Sequence, residues 1–319
     1  MLRRGKSDRC CVHHAVCVLG LFVVLFLAGL TGCGGDDDDD EADRVTTGVP
    51  VATDPACGSR AALSSGPELT IMGLTADQRL VRFQECLPGR LQEAGRVSGL
   101  QAPDNALVGI DFRVQDAQLY GLGNGGGVYT LNVTTAQATF VNALTVPLAG
   151  AFFGVDFNPA ANALRIISDA GQNLRLPFAG ALAGQTQTDA VLNYPGPPLV
   201  SPATGLSGAA YTNNDLDAST GTTLFNIDTS LNQVVIQSPP NAGALVAVGQ
   251  LTVDPDTAVG FDIYTRLQDG AAITNSGFAS LVVGGVTSLY RLNFVTGKAI
   301  LIDAFGTAVI DIAIPLNQN

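Results

Sequence analysis

Hydrophobic and polar residues alternate with a period of two along residues 107–144. Val108, Ile110 and Phe112 alternate with glycine or charged residues, and three further short apolar segments follow. Turn-forming residues separate the segments, most clearly the asparagine and glycines of 124–127. Such alternation is typical of β-strands, and glycine clusters are typical of the tight turns between them. The stretch therefore predicts four antiparallel strands, the content of one propeller blade.

The same pattern recurs to the end of the chain. The opening GIDF at Gly109 is matched by GVDF at Gly154, GAAY at Gly208 and GFDI at Gly260, each followed by further strand-like segments. The boundaries of the third repeat are the least defined, because residues 180–202 are rich in turn formers.

Two incomplete repeats remain at the ends of this pattern. Residues 69–97 supply three strand-like segments without an opening one, and residues 308–315 supply an opening segment without successors. If the two complete one blade between them, the ring closes and its sheet edges are protected. We therefore predict an all-β fold: a β-propeller of about five four-stranded blades, closed by pairing of the N- and C-terminal strands. A β-sandwich of similar strand content is the alternative.

Residues 1–32 have the pattern of a signal peptide. Four basic residues precede an apolar run at 15–30, which is shorter than the roughly 20 residues of a membrane span. The run ends in Leu30-Thr31-Gly32-Cys33, which resembles the lipobox of bacterial lipoproteins. The resemblance implies cleavage before Cys33, lipidation of its thiol and, with Gly34 next, an outer-membrane location in a Gram-negative cell. The alternative is an uncleaved anchor or an ordinary secretory signal.

Residues 33–66 predict a flexible tether. Five aspartates and a glutamate at 36–41 form a block of like charge, and Thr, Pro, Ala, Gly and Ser dominate 46–65. Like charges repel and keep such a segment extended and solvated. Because five adjacent carboxylates cannot all turn to one cation, we favour a spacer over a calcium site. The folded propeller domain is expected at 67–319.

Charge and histidine content exclude several functions. The net charge is −12, and loss of 1–32 would remove four of the 16 basic residues but one of the 28 acidic ones. A basic surface is needed to displace phosphate counterions, so nucleic acid is excluded as a partner. Both histidines, His13 and His14, lie in the signal peptide. A mature chain without imidazole excludes Ser-His-Asp catalysis, Cys-His catalysis and histidine-ligated zinc.

Two cysteines, Cys57 and Cys86, remain beyond the signal peptide and Cys33. In an oxidising compartment such a pair predicts one disulfide, here between the tether and the first blade. The alternative is that both cysteines are free thiols or bind a metal. A metal site would lack other soft ligands.

An aspartate recurs at one place in the repeat: Asp111, Asp156, Asp262 and Asp311. The repeat that begins GAAY has Ala210 at this place instead. On innermost strands these carboxylates would lie at one height around the axis. There they would raise one another's pKa or bind a hard cation such as calcium. The structural alternative is that each accepts backbone N–H groups and fixes neighbouring blades together. No cofactor other than this calcium is expected.

Three further features allow more than one interpretation. Residues 213–219 alternate oxygen-bearing side chains but lack the glycine and glutamate of a calcium loop, so we expect a polar turn. The glycines of 123–127 join two strands without a following helix, so we expect a hairpin turn, not a phosphate site. Five arginines scattered among the repeats would either line a site for an anionic ligand or pair with surface carboxylates: Arg113, Arg165, Arg175, Arg266 and Arg291.

The segments GIDF, LYGLGNGGGVYTLN, GVDFNPAANALRIISDAGQNLR, GAAYTNN and GFDI, in this order, resemble a bacterial exported family known as domain of unknown function 4394. The resemblance implies an extracytoplasmic, propeller-like β domain, and it carries over no catalytic residues.

Three functions follow as hypotheses. The first is a membrane-anchored lipoprotein whose propeller is a binding module for a small molecule or a protein. The second is a calcium-dependent propeller hydrolase similar to the metal-dependent lactonases, with the four aspartates around the cation. The third is a structural protein of the cell envelope. Enzymatic activity is uncertain, and a binding module is favoured.

Overall fold

The five predicted blades are present in the computed structural model, which describes residues 55, 57, 68–196, 201–217 and 219–318. Five four-stranded antiparallel sheets form a β-propeller. The signal peptide, Cys33 and nearly all of the acidic tether lie outside the described residues. Among the residues that are described, no helix is both long and apolar enough to cross a bilayer.

The strands are numbered in chain order. Blade 1 contains β1 (Thr70–Thr75), β2 (Arg79–Gln84), β3 (Gln92–Arg96) and β22 (Val309–Ala313). Blade 2 contains β4 (Leu107–Arg113), β5 (Gln118–Gly123), β6 (Gly127–Leu131) and β7 (Ala138–Ala143). Blade 3 contains β8 (Phe153–Asn158), β9 (Ala163–Ser168), β10 (Asn173–Pro177) and β11 (Gln187–Thr188).

Blade 4 contains β14 (Leu206–Tyr211), β15 (Leu224–Asp228), β16 (Gln233–Gln237) and β17 (Leu245–Gln250). Blade 5 contains β18 (Pro255–Gln268), β19 (Ala271–Val283), β20 (Val286–Leu292) and β21 (Ala299–Ala304). The pair β12 (Asn193–Tyr194) and β13 (Ser201–Pro202) lies between blades 3 and 4 in the chain, and a short 3-10 helix, η1 (Pro240–Ala242), joins β16 to β17.

Strands from the two ends of the described chain close the ring. β22 pairs antiparallel with β1, with Gly73 opposite Ile312 and Leu74 opposite Asp311. The predicted composite blade of one C-terminal and three N-terminal strands is therefore confirmed. Pairing with β22 covers the edge of β1, which would otherwise invite aggregation.

The hydrophobic core is divided among the blade interfaces. Five clusters of buried side chains lie between neighbouring blades, and one of them joins Ile71 and Phe83 of blade 1 to Phe278 and Leu289 of blade 5. A blade with a neighbour on each face buries both sets of alternating side chains. The strand β9 shows the result, because all six of its residues are buried.

The predicted disulfide is present. Cys57 and Cys86 are bonded, with their Cα atoms 5.3 Å apart. Both cysteines lie in the cluster between blades 1 and 5. The bond therefore ties Cys57 to the core between these two blades.

Candidate functional site

The innermost strands of the five blades are β22, β4, β8, β14 and β18, which contact one another in this order around the ring. Four of them carry glycine two residues before the aspartate position. A Cβ atom at Gly154 would lie 2.6 Å from the Ala209 backbone nitrogen, and one at Gly260 would lie 2.5 Å from the Asp311 Cα. Glycine is needed at these two positions because the backbone of the neighbouring inner strand lies too close to admit a side chain.

Each of the four repeated aspartates joins its own inner strand to the next blade around the ring. Asp111 Oδ2 accepts the Phe157 N–H at 2.7 Å, and Asp156 Oδ1 accepts the Tyr211 N–H at 3.0 Å. Asp262 Oδ2 accepts the Ile314 N–H at 2.6 Å, and Asp311 Oδ2 accepts the Ile110 N–H at 2.7 Å. Ala210 of blade 4 has no such group. Four of the five blade interfaces therefore carry a carboxylate-to-backbone hydrogen bond.

Three of these carboxyls also lie close together. One oxygen each of Asp111, Asp156 and Asp262 lies within 4.8 Å of the other two. All three side chains are buried, with Asp156 only 2% exposed. The arrangement is a candidate cation site, because calcium binds carboxylate oxygens. Its capacity is limited, since calcium takes about six to eight oxygens and both oxygens of Asp111 and of Asp262 already accept backbone N–H groups.

Burial and mutual repulsion raise the pKa values of this group. Desolvation raises the pKa of Asp111 and Asp156 well above the usual range, and the charges of Asp262 and the other aspartates add to it. Desolvation likewise raises the pKa of Asp311 well above that range. For Asp262 desolvation raises the pKa to about 6, against the lowering effect of two backbone hydrogen bonds. Protonation of the carboxylates or a bound cation would each reduce the repulsion between these aspartates.

A cleft of about 580 Å³ lies between blades 3 and 4. Its walls combine small apolar side chains with a few polar ones: Asn158, Ala161, Ala163, Arg165, Arg175, Pro177, Ala179, Ala181, Leu182, Tyr211, Pro239, Pro240 and Asn241. The lining residues lie on β8, β9, β10 and β14, in the turn between β8 and β9, on the segment after β10, and on η1 with its preceding proline, which forms one wall. We call this the interblade cleft.

Arg165 organises the polar side of the cleft. Its side chain is 4% exposed, and its guanidinium donates to Asp189 Oδ2 at 2.7 Å, to Asn241 Oδ1 at 2.8 Å and to the Tyr211 hydroxyl at 3.3 Å. A further hydrogen bond of 2.7 Å reaches Asn173 Oδ1. A buried arginine is stable only when paired and hydrogen-bonded, and here both conditions are met. The network fixes side chains from both blades in one arrangement.

Arg175 shares the carboxylate of Asp189. Its Nε lies 3.0 Å from Asp189 Oδ2 and 3.1 Å from Oδ1. The Arg175 side chain is 29% exposed, whereas that of Asp189 is 7% exposed. Within the described part of the chain, Nε makes all the hydrogen bonds of this side chain. Both terminal nitrogens of Arg175 therefore have donors to spare.

The wall formed by η1 is held from the blade 3 side. Asn173 Nδ2 donates to the carbonyl oxygens of Ala190 and Pro240, both at 3.0 Å. Gln237 Nε2 donates to the same Pro240 oxygen at 2.7 Å. Side chains of both blades therefore hold this turn in place.

The remaining sequence candidates are held by hydrogen bonds within the protein. The glycines at 123–127 make the predicted β5–β6 hairpin, and Asp104 accepts the N–H groups of Gly125 and Gly127 together with the Tyr129 hydroxyl. In the predicted polar turn at 213–219, Asp215 accepts the Asp217 N–H and also the Ala272 N–H of β19 in blade 5.

Of the five scattered arginines, only Arg165 and Arg175 meet. Arg113 pairs with Asp116, Arg291 lies over the Phe278 ring, and Arg266 is exposed in the β18–β19 hairpin. The sequence did carry a signal for the pair, because each interrupts an otherwise apolar strand, LRIIS or NLRLP. Buried charged residues are rare unless paired. Nothing in the sequence indicated Asp189, Tyr211 or Asn241.

The chain shows distant similarity to several solved structures. Glutaminyl cyclase of Myxococcus xanthus is 14% identical, with 65% of this chain and 69% of that chain covered and a TM-score of 0.35. An auxiliary nutrient binding protein from Bacteroides thetaiotaomicron is 12% identical, with 65% and 55% covered and a TM-score of 0.38. A protein of unknown function from the same organism is 11% identical, with 79% and 68% covered and a TM-score of 0.41.

Similarities at these TM-scores carry no argument about function. The comparison with curated proteins gives no match. The sequence itself matches one family over residues 79–313, which reach all five blades. The chain therefore belongs to the family described as Domain of unknown function (DUF4394).

Proposed function

We propose that this protein is an exported, lipid-anchored binding module that takes up a small molecule in the interblade cleft. The cleft itself carries the proposal. Its volume of about 580 Å³ falls in the usual range for small-molecule sites, about 300–1,000 Å³. Its lining also has the usual composition, with apolar walls and a few fixed polar groups.

The rigidity of the cleft supports binding in particular. Arg165 and Asn173 hold side chains and backbone of both blades through hydrogen bonds of 2.7 to 3.0 Å. A preformed site loses little conformational entropy when its ligand binds. No histidine or free cysteine lies in the described residues, so the lining offers neither of these groups for catalysis.

Export is supported by two independent features. A disulfide joins Cys57 and Cys86, and disulfides persist in oxidising compartments outside the cytoplasm. The first 33 residues combine a basic start, an apolar run and Cys33. Lipidation of Cys33 and a spacer at 33–66 would hold the propeller at a membrane surface.

A cleft-filling substitution tests the site. Ala181 lines the cleft and is exposed, whereas the exposed Ala183 two residues on does not line it. The mature protein, Ala181→Trp and Ala183→Trp would be screened for thermal stabilisation by a library of small polar and anionic compounds. We expect compounds that stabilise the native protein and Ala183→Trp but not Ala181→Trp. Compounds that stabilise all three proteins equally would place the binding site elsewhere.

A calcium-dependent hydrolase is the second candidate, favoured by the 4.8 Å grouping of Asp111, Asp156 and Asp262. Such an enzyme would contain bound calcium after purification and would melt at a lower temperature in a chelator. A site at a hundredfold excess of calcium over Kd adds about 2.7 kcal/mol. Equal melting temperatures with and without chelator, with no calcium found by elemental analysis, would remove this candidate.

A further inference from the structure

We propose that the ligand of the interblade cleft is a small organic anion with a single carboxylate, which pairs with the terminal nitrogens of Arg175. This inference rests on the proposed function, because it assumes that the cleft is the ligand site. It goes further by assigning a ligand class and one anchoring residue.

The balance of charge in the cleft is the first argument. Two guanidinium groups, Arg165 and Arg175, share the single carboxylate of Asp189. None of the described residues that line the cleft is itself acidic. Among the lining residues and Asp189, one positive charge therefore remains uncompensated, in a protein whose net charge is −12. A cationic pocket in an acidic protein attracts an anion locally although the rest of the molecule repels it.

The two arginines have different roles. Arg165 is buried and uses Nε and both terminal nitrogens on protein acceptors, so it is a positioning residue. Arg175 is anchored through Nε alone, at 3.0 and 3.1 Å from the two oxygens of Asp189. Its terminal nitrogens stay available while its orientation is fixed. A guanidinium in this state can bind a carboxylate through two parallel N–H···O bonds.

The other residues that line the cleft indicate the chemistry of the ligand beyond its carboxylate. Small apolar residues dominate it, among them Ala163, Pro177 and Leu182, and the other polar groups are neutral. An apolar body beside the carboxylate would fill this space. A dianion such as phosphate fits less well, because the one uncompensated positive charge would leave a buried negative charge unpaired.

Matched pairs of acids and amides test the ligand class by titration calorimetry on the mature protein. The probes are phenylacetate and 4-methylpentanoate, their uncharged amides, and inorganic phosphate. We expect each acid to bind about tenfold or more tightly than its amide. Equal affinities for acid and amide, no binding of either acid up to millimolar concentrations, or tighter binding of phosphate than of both acids would each overturn the proposal.

Substitutions test the anchor. Arg175→Gln should weaken binding of the acids about tenfold or more and abolish the preference over amides, while the Arg165–Asp189 pair keeps the fold intact. Arg175→Lys should retain part of the affinity, because it keeps the charge but not the bidentate geometry. Arg266→Gln is the control, since it removes one charge from an exposed arginine that does not line the cleft. Unchanged affinity in Arg175→Gln, or an equal loss in Arg266→Gln, contradicts the assignment.

The outcomes separate this inference from the proposed function. If uncharged compounds bind and Ala181→Trp blocks them while the acids do not bind, the cleft is a ligand site and the carboxylate class is wrong. If acids bind equally to the native protein and to Ala181→Trp, the cleft is not the site and both proposals fail.

Discussion

Each aspartate of the repeat accepts a hydrogen bond in a place where a charge is unfavourable. Asp156 accepts the Tyr211 N–H of the next blade, and burial together with Asp111 and Asp262 raises its pKa well above the usual range. The hydrogen bond needs only an oxygen and does not need the negative charge. The two properties can therefore be separated by substitution.

The first prediction compares two substitutions of Asp156 in the presence of chelator at pH 7. Asp156→Asn keeps the acceptor oxygen and removes a charge from the buried group, so we expect a free energy of unfolding equal to or above the native value. Asp156→Ala leaves the buried Tyr211 N–H without its acceptor, which costs about 1–3 kcal/mol. Urea denaturation measures both. An Asn variant as unstable as the Ala variant would show that the charge itself is required.

Residue positions in this protein were predictable only where they repeat. The aspartates recur at one place in successive repeats, so the repeat alone indicates that they lie on neighbouring inner strands. The partners of Arg165 do not recur, and Asp189, Tyr211 and Asn241 lie 24, 46 and 76 residues from it. A cleft assembled once, from two blades and a turn, leaves no periodic signal.

At the scale of elements, the spacing between inner strands depends on glycine. A Cβ at Gly154 would meet backbone atoms of Ala209 and Gly208 at 2.6 and 2.8 Å, whereas one at Gly208 would meet side chains of Phe261 and Val259 at 3.0 Å. Near Gly208 the Val259 Cγ1 atom can move away by a small rotation and the contacts are longer, whereas near Gly154 a strand fixed in a sheet can move only as a whole.

The second prediction follows from this difference. Gly154→Ala should lower the free energy of unfolding by about 1–3 kcal/mol, as overpacking does in a filled core, and Gly208→Ala should lower it less. Gly221→Ala is the control, because a Cβ there meets open space and the residue has no positive φ. Thermal melting ranks the three variants. The reverse order of Gly154→Ala and Gly208→Ala would contradict the account of strand spacing.

Strands were predictable wherever side chains alternate between two buried faces. The segment from β11 to β13 was not, because residues 180–202 show no alternation. Its strands are two residues long, and backbone hydrogen bonds hold Ala190 and Asn193 against the distant η1 region, from Ala190 N–H to Asn241 O at 3.0 Å and from Asn193 N–H to Gly243 O at 2.8 Å. Such contacts depend on tertiary structure and carry no local pattern.

For the whole molecule, the buried carboxyls predict how stability depends on pH. A carboxyl whose pKa is raised in the folded state binds more protons when folded, so stability falls as pH rises from the unfolded pKa through the folded one. For Asp262 this window of pKa runs from 3.8 to about 6, and burial shifts the pKa values of the other three in the same upward direction. The carboxyls with lowered pKa, Asp77 and Asp217, titrate below it.

The third prediction is therefore that, in chelator, the protein becomes more stable as the pH is lowered from 7 towards 4. Asp262 alone should contribute on the order of 3 kcal/mol across its window. Asp262→Asn should reduce the slope between about pH 4 and 6, whereas Asp256→Asn, at an exposed aspartate, should keep the native slope. Urea midpoints at each pH measure this. Stability that decreases on acidification over the same range would contradict the raised pKa values.

Closure of the ring is the property of the whole molecule that the sequence indicated best, because the two incomplete repeats complement each other. The contacts of β22 show what closure contributes. Without this strand the edge of β1 is unpaired, Asp262 loses the Ile314 N–H, and the Ile110 N–H loses Asp311. Buried Ile312 and Ile314 also leave the core between blades 1 and 5. Two of the five blade interfaces are affected at once.

The fourth prediction compares a truncation with a mild change at the same place. Ending the chain after Thr307 removes β22, so we expect loss of the cooperative thermal transition, since the exposed β1 edge and two damaged interfaces exceed a typical folding free energy of about 5–15 kcal/mol. Gln318→Ala removes only the hydrogen bonds of that side chain, among them those to Thr70 of 2.8 and 2.9 Å, and should cost about 1–2 kcal/mol with cooperativity retained. Circular dichroism melts distinguish the two outcomes. A truncated chain that melts cooperatively near the native temperature would show that four blades and an open fifth suffice, and that the closing strand contributes little to the fold.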